Sequence, residues 1–329
     1  MDRDTNGYRN RLEEELTREQ QSGKPIAAVI GLGSMGMGMA MSLLRQGWDV
    51  VGCDVSTDAL GRLANAGGRT ARTPAEAASG AGVVLCVVVN AAQTETVLFG
   101  EGGVFETIAP RSVFISSATM APTDAKRLAS RLAEKDVFYL DAPISGGAAK
   151  AADGNLTVMA SGSPDAFEKA EVALQAIAGK VYRLGDAVGV GASVKMINQH
   201  LAGIHIAAAC EAITLASKLG LDLPTVYEVI TASAGNSWMF ENRVPHILEG
   251  NYTPLSSVEI FVKDLGILQD MARAERYPAP IAAAALQMYL ATSGAGMGRD
   301  DDASVARTYA ALSGAVLPPV IAPGSKKED

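Results

Sequence analysis

The chain has 329 residues, 48% of them hydrophobic and 19% charged, with a formal net charge of −8. That length suits about two domains, each with its own core, and the acidic balance offers no basic excess to hold nucleic acid or an anionic membrane surface. No apolar run is expected to approach the roughly 18 residues of a membrane span, and the opening stretch MDRDTNGYRNRLEEELTREQQ carries acids where a secretory leader would carry an apolar core. A cytoplasmic protein is expected, with no nucleic-acid or membrane partner.

Residues 1–24 are charged and lack a sustained apolar stripe, so they are expected as a flexible N-terminal extension outside the fold. From Pro25 onward, short apolar runs alternate with helical segments: IAAVIG, DVVGCD, VVLCVVV, SVFISS and VFYLDAP, then LTVMAS and KVYRLG. Such Val/Ile/Leu runs predict a parallel sheet buried on both faces, a doubly wound Rossmann-type α/β domain over 25–188. After Gly189 the strand pattern stops, and turn signals at LGLDLP, EGNYTP, ERYPAP and ATSGAGMG divide an all-α domain over 189–318, joined to the first by a long interdomain helix. A proline-rich, charged tail over 319–329 ends the chain. The cysteines Cys53, Cys86 and Cys210 fall in apolar runs without the paired spacing of a zinc site, so buried free thiols and no metal are expected.

Gly31, Gly33 and Gly36 stand in G-x-G-x-x-G spacing between an apolar strand and an amphipathic run. The first glycine permits a tight turn, the second lets the backbone approach a pyrophosphate, and the third lets helix and strand pack closely. The next strand ends in Asp54, 18 residues beyond Gly36, near the position of an acid that binds adenosine ribose hydroxyls. Strand, turn, helix, strand and acid in this order predict dinucleotide binding. Asp54 is followed by Val55 and Ser56, so its carboxylate would repel a ribose 2′-phosphate with no adjacent cation to offset it, which favours NAD.

The stretch VKMINQHLAGIHIAAACEAITLASKLG, Val194 to Gly220, raises a different question, because Lys195 opens a long apolar helix without charged neighbours at helical spacing. Asn198 and Gln199 take those places, so an ammonium and two carboxamides share one face of the first turns.

Four motifs in order resemble the β-hydroxyacid dehydrogenase family, the group related to 3-hydroxyisobutyrate dehydrogenase: GLGSMGMGMA, DAPISGGAAKAADGNLTVMASG, GVGASVKMINQ and FVKDLGIL. The resemblance runs from Ile26 to about Leu312. It implies an NAD-dependent oxidoreductase with Lys195 as catalytic acid–base. It implies substrate contacts at Ser145, Gly146, Gly147, Asn198 and Gln199. Cofactor contacts are implied at Gly31, Leu32, Gly33, Ser34, Met35, Gly36, Asp54, Val89, Asn90, Thr119 and Lys263. The substrate expected is a small hydroxy acid, with a four-carbon aldonic acid, L-threonate, ahead of 3-hydroxyisobutyrate or the tartronate semialdehyde and glycerate pair. A homo-oligomer, dimer or tetramer, is expected through the helical domain. The chain departs from the family pattern where Val88, Val89 and Asn90 replace Met-Leu-Pro, at Ser116 where an acid is common, and at Gln199 where asparagine is usual.

Oxidising a secondary alcohol requires a base for the hydroxyl proton, so Lys195 must lose its own proton near neutrality, through desolvation or a neighbouring cation such as Lys263. The histidines His200, His205 and His246 show no carboxylate at pairing distance in sequence and are expected to be structural. A non-catalytic NAD-binding scaffold is the alternative from another class. It would have no need of Lys195.

Overall fold

The computed structural model describes residues 24–321. The expected N-terminal extension, apart from Lys24, and the last eight tail residues lie outside that range. Two units divide the chain: one runs to Ala118 and resumes over Thr123–Gly191, and the other combines Thr119–Pro122 with the chain from Ala192 onward.

In the first unit, β1 (Ile26–Ile30), α1 (Ser34–Arg45), β2 (Asp49–Cys53), α2 (Thr57–Asn65), β3 (Arg69–Thr70), α3 (Pro74–Ala78), β4 (Val83–Cys86), α4 (Ala91–Phe99), β5 (Val113–Ser116), α5 (Pro122–Ala133, whose first residue belongs to the second unit) and β6 (Phe138–Asp141) follow in order. The strands form one sheet in the order β3-β2-β1-β4-β5-β6, and every pair is parallel. This is the doubly wound order whose reversal between β1 and β4 opens a ligand crevice at the carboxyl ends of the strands. The strands earn their place by composition: all of VVLC in β4 and VFIS in β5 is buried, as continuous apolar runs require when helices cover both faces. Side chains of Ser56, Thr73 and Asn90 cap α2, α3 and α4 by accepting from the backbone N–H three residues on, which fixes where each helix starts.

A smaller sheet follows from β7 (Ile144–Ser145), α6 (Gly147–Ala152), β8 (Leu156–Ala160), α7 (Pro164–Ile177) and β9 (Ala178–Arg183), in the order β7-β8-β9. Three differences from expectation have simple causes. The strands β3 and β7 are two residues each, too short to leave a pattern. Strand β4 stops at Cys86, where the chain turns against Gly31. Strand β9 is an exposed edge, not a strand buried on both faces, because only β8 pairs with it.

The second unit is helical: α8 (Val190–Lys218, whose first two residues belong to the first unit), α9 (Leu223–Thr231), α10 (Trp238–Glu249), α11 (Val258–Ala274), α12 (Pro280–Thr292) and α13 (Val305–Ser313). Met196, Ile206, Cys210, Val244, Phe261, Leu265 and Tyr289 form its core. Gly203 lets α8 and α11 approach closely, since a Cβ there would sit 3.0 Å from Phe261 and 3.1 Å from Leu265. Tyr289 stacks on Phe261 at 5.3 Å between ring centroids and donates its hydroxyl to the Gly203 carbonyl at 2.9 Å, locking the same contact.

The membrane-span expectation needs correcting. Over 18 residues α8 reaches a mean hydropathy of 1.3 and is long enough to span, although half of that window is buried inside the fold. Small alanines raise its hydropathy without a long run of large apolar residues. Among the histidines, His246 makes a structural contact that sequence spacing does not announce: its Nδ1 lies 3.0 Å from Asp301 Oδ1. Asp301 also accepts from the N–H groups of Leu255 at 2.9 Å and Ala303 at 3.1 Å, and Arg243 Nε donates to its neighbour Asp302 at 2.6 Å. Burial works against the Asp301 charge, yet His246 and these N–H donors hold its carboxyl below the usual range. The cluster ties α10 to the loop before α13.

Candidate active site

The glycine turn joins β1 to α1. Gly31 adopts φ +90°, and a Cβ there would lie 2.5 Å from the Val87 carbonyl oxygen. At Gly36 a Cβ would lie 1.9 Å from the Gly31 oxygen, so both positions demand glycine for steric reasons. Gly33 is different: a Cβ would meet no protein atom within 4 Å. Packing therefore does not require glycine there, whereas close approach of a pyrophosphate does. Helix α1 has no side-chain cap and no acid in its first turn, so the N–H groups around Ser34, Met35 and Gly36 keep the positive end of the helix available to an anion.

Asp54 follows β2. Its Oδ2 accepts from the Leu32 N–H at 2.5 Å and its Oδ1 from the Ser56 N–H at 2.7 Å, which fixes the carboxylate against the turn. Val55 beside it is fully exposed. Asn90 is brought to the end of β4 but its side-chain oxygen caps α4, accepting from Gln93 N–H at 2.9 Å. Val89 is 45% exposed, with its N–H bonded to the Gln93 side chain. Asn90 is thus largely engaged in holding its own helix.

Ser145, Gly146 and Gly147 connect β7 to α6. Gly146 has φ +137° and Gly147 φ +77°, backbone states that exclude ordinary side chains and leave N–H groups uncovered by a Cβ. Helix α6 is held close to α1 by Gly38, where a Cβ would lie 2.6 Å from the Ala151 backbone, and by Arg45 donating to the Ala152 carbonyl. Lys150 of the same helix is exposed.

The lysine cluster lies within the helical unit. Lys195 and Gln199 share the buried face of α8, and Asn198 is partly buried beside them. Gln199 Nε2 donates to Asp264 Oδ2 at 2.5 Å, and its Oε1 accepts from Asn198 Nδ2 at 3.0 Å. Lys263 Nζ pairs with Asp264 Oδ1 at 2.5 Å and donates to the Thr119 carbonyl at 3.3 Å, placing Thr119 with this cluster and not with the sheet. The Lys195 ammonium is destabilised chiefly by burial and further by Lys263, against the opposing charge of Asp264, and the group is lowered to about 8. It is neutral in a large fraction of molecules slightly above physiological pH.

A model of the NAD binding domain of 6-phosphogluconate dehydrogenase matches residues 26–185, and one of the NAD-binding domain of NADP-dependent 3-hydroxyisobutyrate dehydrogenase matches 189–309. The L-threonate dehydrogenase of Cupriavidus necator is 56% identical over 281 residues, covering 85% of this chain and 95% of that one. The chain belongs to the β-hydroxyacid dehydrogenase family. The L-threonate dehydrogenase of Escherichia coli K12 is 48% identical over 88% of this chain and 95% of its own. A crystal structure of 3-hydroxyisobutyrate dehydrogenase from Salmonella typhimurium superposes with a TM-score of 0.83 at 46% identity, covering 87% of this chain and 100% of that chain. As a member of this family the protein is an NAD-binding hydroxyacid oxidoreductase.

Sequence reading placed Lys263 but assigned nothing to Asp264, the residue that gathers the cluster. The signal was available: Val258, Phe261, Asp264, Leu265 and Leu268 form the buried stripe of α11, and an acid on that stripe must have partners.

Proposed function

We propose that the protein oxidises L-threonate to 2-oxotetronate with NAD, using Lys195 as the base. The observation that carries this reading is the buried Lys195, with its proton affinity lowered to about 8, on one face with Asn198 and Gln199. In support, two relatives 48% and 56% identical are L-threonate dehydrogenases. The segment Ser237 to Ile267 contributes to the same likeness.

The first unit serves as the cofactor domain and the second as the substrate domain. In the forward reaction the neutral amine of Lys195 takes the proton of the C2 hydroxyl as hydride leaves the same carbon, so a carbonyl forms and the amine becomes an ammonium. Bound NAD supplies the hydride acceptor. Backbone N–H groups around Ser145, Gly146 and Gly147 hold the substrate carboxylate. The N–H groups of Asn198 and Gln199 not engaged with Gln199 and Asp264 donate to the remaining hydroxyls, which would cost about 1–3 kcal/mol each if buried unpaired. Gly31, Leu32, Gly33, Ser34, Met35 and Gly36 cradle the pyrophosphate, Asp54 takes the adenosine ribose hydroxyls and selects NAD over NADP, and Val89, Asn90, Thr119 and Lys263 complete the cofactor contacts.

We also infer a homo-oligomer, dimer or tetramer, through the helical unit. Ile197, Leu201 and Leu215 support it, each more than half exposed along α8. A cytoplasmic role in carbohydrate-acid metabolism agrees with three buried, unbridged cysteines. The test is a panel of hydroxy acids with NAD and NADP, followed by absorbance of the reduced cofactor. L-threonate should give the highest kcat/KM, and a higher value for 3-hydroxyisobutyrate or glycerate overturns the substrate assignment.

A further inference from the structure

Lys150 is exposed on α6, and among the described residues its ammonium has no carboxylate partner. Its side chain lies back over the turn before it: a Cβ added at Gly146 would sit 2.9 Å from Lys150 Cδ and 3.0 Å from its Cβ. That direction follows from helix geometry, since a helical side chain leans toward the N-terminus and covers the residue four positions earlier. The stem therefore rests on the Gly146 backbone, and the ammonium, two bonds past Cδ, lies beside the turn Ser145–Gly147. The root of the side chain is fixed as well. Gly38 brings α1 against Ala151, and Arg45 of α1 donates to the Ala152 carbonyl. Arg45 also donates to Ser42 Oγ at 3.1 Å, so its guanidinium is committed to the far end of α6.

A hydroxy-acid substrate enters with a full negative charge, whereas the N–H groups of the turn offer only partial positive charge. The other lysines of the proposed reaction are engaged elsewhere: Lys195 must be neutral to accept the hydroxyl proton, and Lys263 is paired with Asp264. A chain of net charge −8 supplies no general positive field in their place. We propose that Lys150 supplies the counter-charge for the substrate carboxylate held at Ser145, Gly146 and Gly147, and so selects acids over their uncharged analogues. The inference rests on the reading of that turn as the carboxylate site. Lysine suits the task because its ammonium is a point charge that can follow the carboxylate as it enters. Its stem, already resting on Gly146, has less conformational freedom to lose on binding.

The test measures kcat and KM for L-threonate and for its primary amide, at saturating NAD, in the wild type, Lys150→Met, Lys150→Arg and Lys150→Glu. Methionine keeps an apolar stem over Gly146 and removes the charge, so it separates a counter-charge from a packing role. Lys150→Met should raise KM for L-threonate roughly three- to tenfold, the scale of one partly exposed charge-assisted contact, with kcat and NAD affinity near wild type. Lys150→Arg should restore most of the affinity, and Lys150→Glu should raise KM beyond the methionine variant. KM for the amide should be the same in wild type and Lys150→Met. Added salt should raise the wild-type KM for L-threonate more steeply than that of Lys150→Met. Equal KM for L-threonate in wild type, Lys150→Met and Lys150→Glu overturns the proposal and leaves Lys150 a solvated lysine. The amide separates the two readings. If the wild type uses the amide as well as the acid, no carboxylate is held and the reading of the turn fails too. If it prefers the acid, and Lys150→Met prefers it by the same factor, only the role of Lys150 fails. Should the wild type not turn over L-threonate, glycerate and its amide carry the same comparison.

Discussion

Gln199 Nε2 donates to the buried Asp264 carboxylate at 2.5 Å across 65 residues of chain, so the face of α8 that carries Lys195 and Gln199 is held by α11 and not by its own helix. Asparagine is the usual family residue at position 199. The longer glutamine stem reaches Asp264 and still lets the amide oxygen accept from Asn198.

The glycine turn separates two kinds of glycine requirement. Gly36→Ala should destabilise the first unit, because its Cβ would fall 1.9 Å from the Gly31 oxygen. Gly33→Ala meets no protein atom within 4 Å, so it should leave the melting temperature within about 2 °C of wild type. Its NAD affinity should nevertheless fall on the order of tenfold, since a methyl group intrudes where the pyrophosphate approaches. Thermal melts and NAD titration of both variants check this contrast, and unchanged NAD affinity in Gly33→Ala contradicts it.

Asp54 should give a kcat/KM for NAD at least about tenfold above that for NADP, one repelled 2′-phosphate being worth upward of about 1.4 kcal/mol. Asp54→Ser combined with Val55→Arg should reverse the preference. The double change also removes the acceptor of the Leu32 N–H, so some loss of turnover with both cofactors is expected. Equal use of NAD and NADP by the wild type would show that Asp54 does not select.

Burying Lys195 costs stability, and the sign with pH follows from linkage. In the unfolded chain a lysine keeps its proton to about 10.5, whereas in the fold burial, opposed by Asp264 and reinforced by Lys263, lowers the group to about 8. Between these values the unfolded state binds more protons, so stability attributable to Lys195 rises with pH from about 8 to 10.5, and below 8 the full cost is present. Lys195→Met should therefore be more stable than wild type at pH 7, by up to roughly 3 kcal/mol, and the gap should narrow by pH 10. Denaturant melts at both pH values measure it. A wild type more stable than the variant at pH 7 contradicts the burial argument.

Arg243 and Asp302 form a buried pair at 2.6 Å with side chains 8% and 0% exposed. Arg243→Met leaves the Asp302 carboxyl enclosed without its cation and should cost about 3–5 kcal/mol of unfolding free energy. Burial already pushes the Asp302 carboxyl up to about 7 against the opposing charge of Arg243, so a loss below about 1 kcal/mol would mean that Asp302 takes up a proton in place of its cation.

The cofactor half of the molecule was legible because its constraints are local: Gly31 and Gly36 are fixed by contacts within one strand–turn–helix unit, and Asp54 ends the next strand. Continuous apolar runs likewise announced β1, β2, β5 and β6. The cluster around Lys195 was legible only in part. Helical spacing placed Lys195, Asn198 and Gln199 together, but Asp264 arrives from another helix, and no local pattern names its partner. The same limit hid His246 against Asp301, 55 residues apart. Asn90 carries a local role that the family likeness did not announce, since its side-chain oxygen caps the N-terminus of α4.

The most direct test of the account is the turnover of Lys195→Ala with L-threonate and saturating NAD at pH 9, where wild-type Lys195 is mostly neutral. Loss of kcat on the order of 10²-fold or more, the scale of a positioned acid–base group, with NAD affinity nearly intact, is the result predicted. Turnover within a few-fold of wild type would contradict it and remove Lys195 from the reaction.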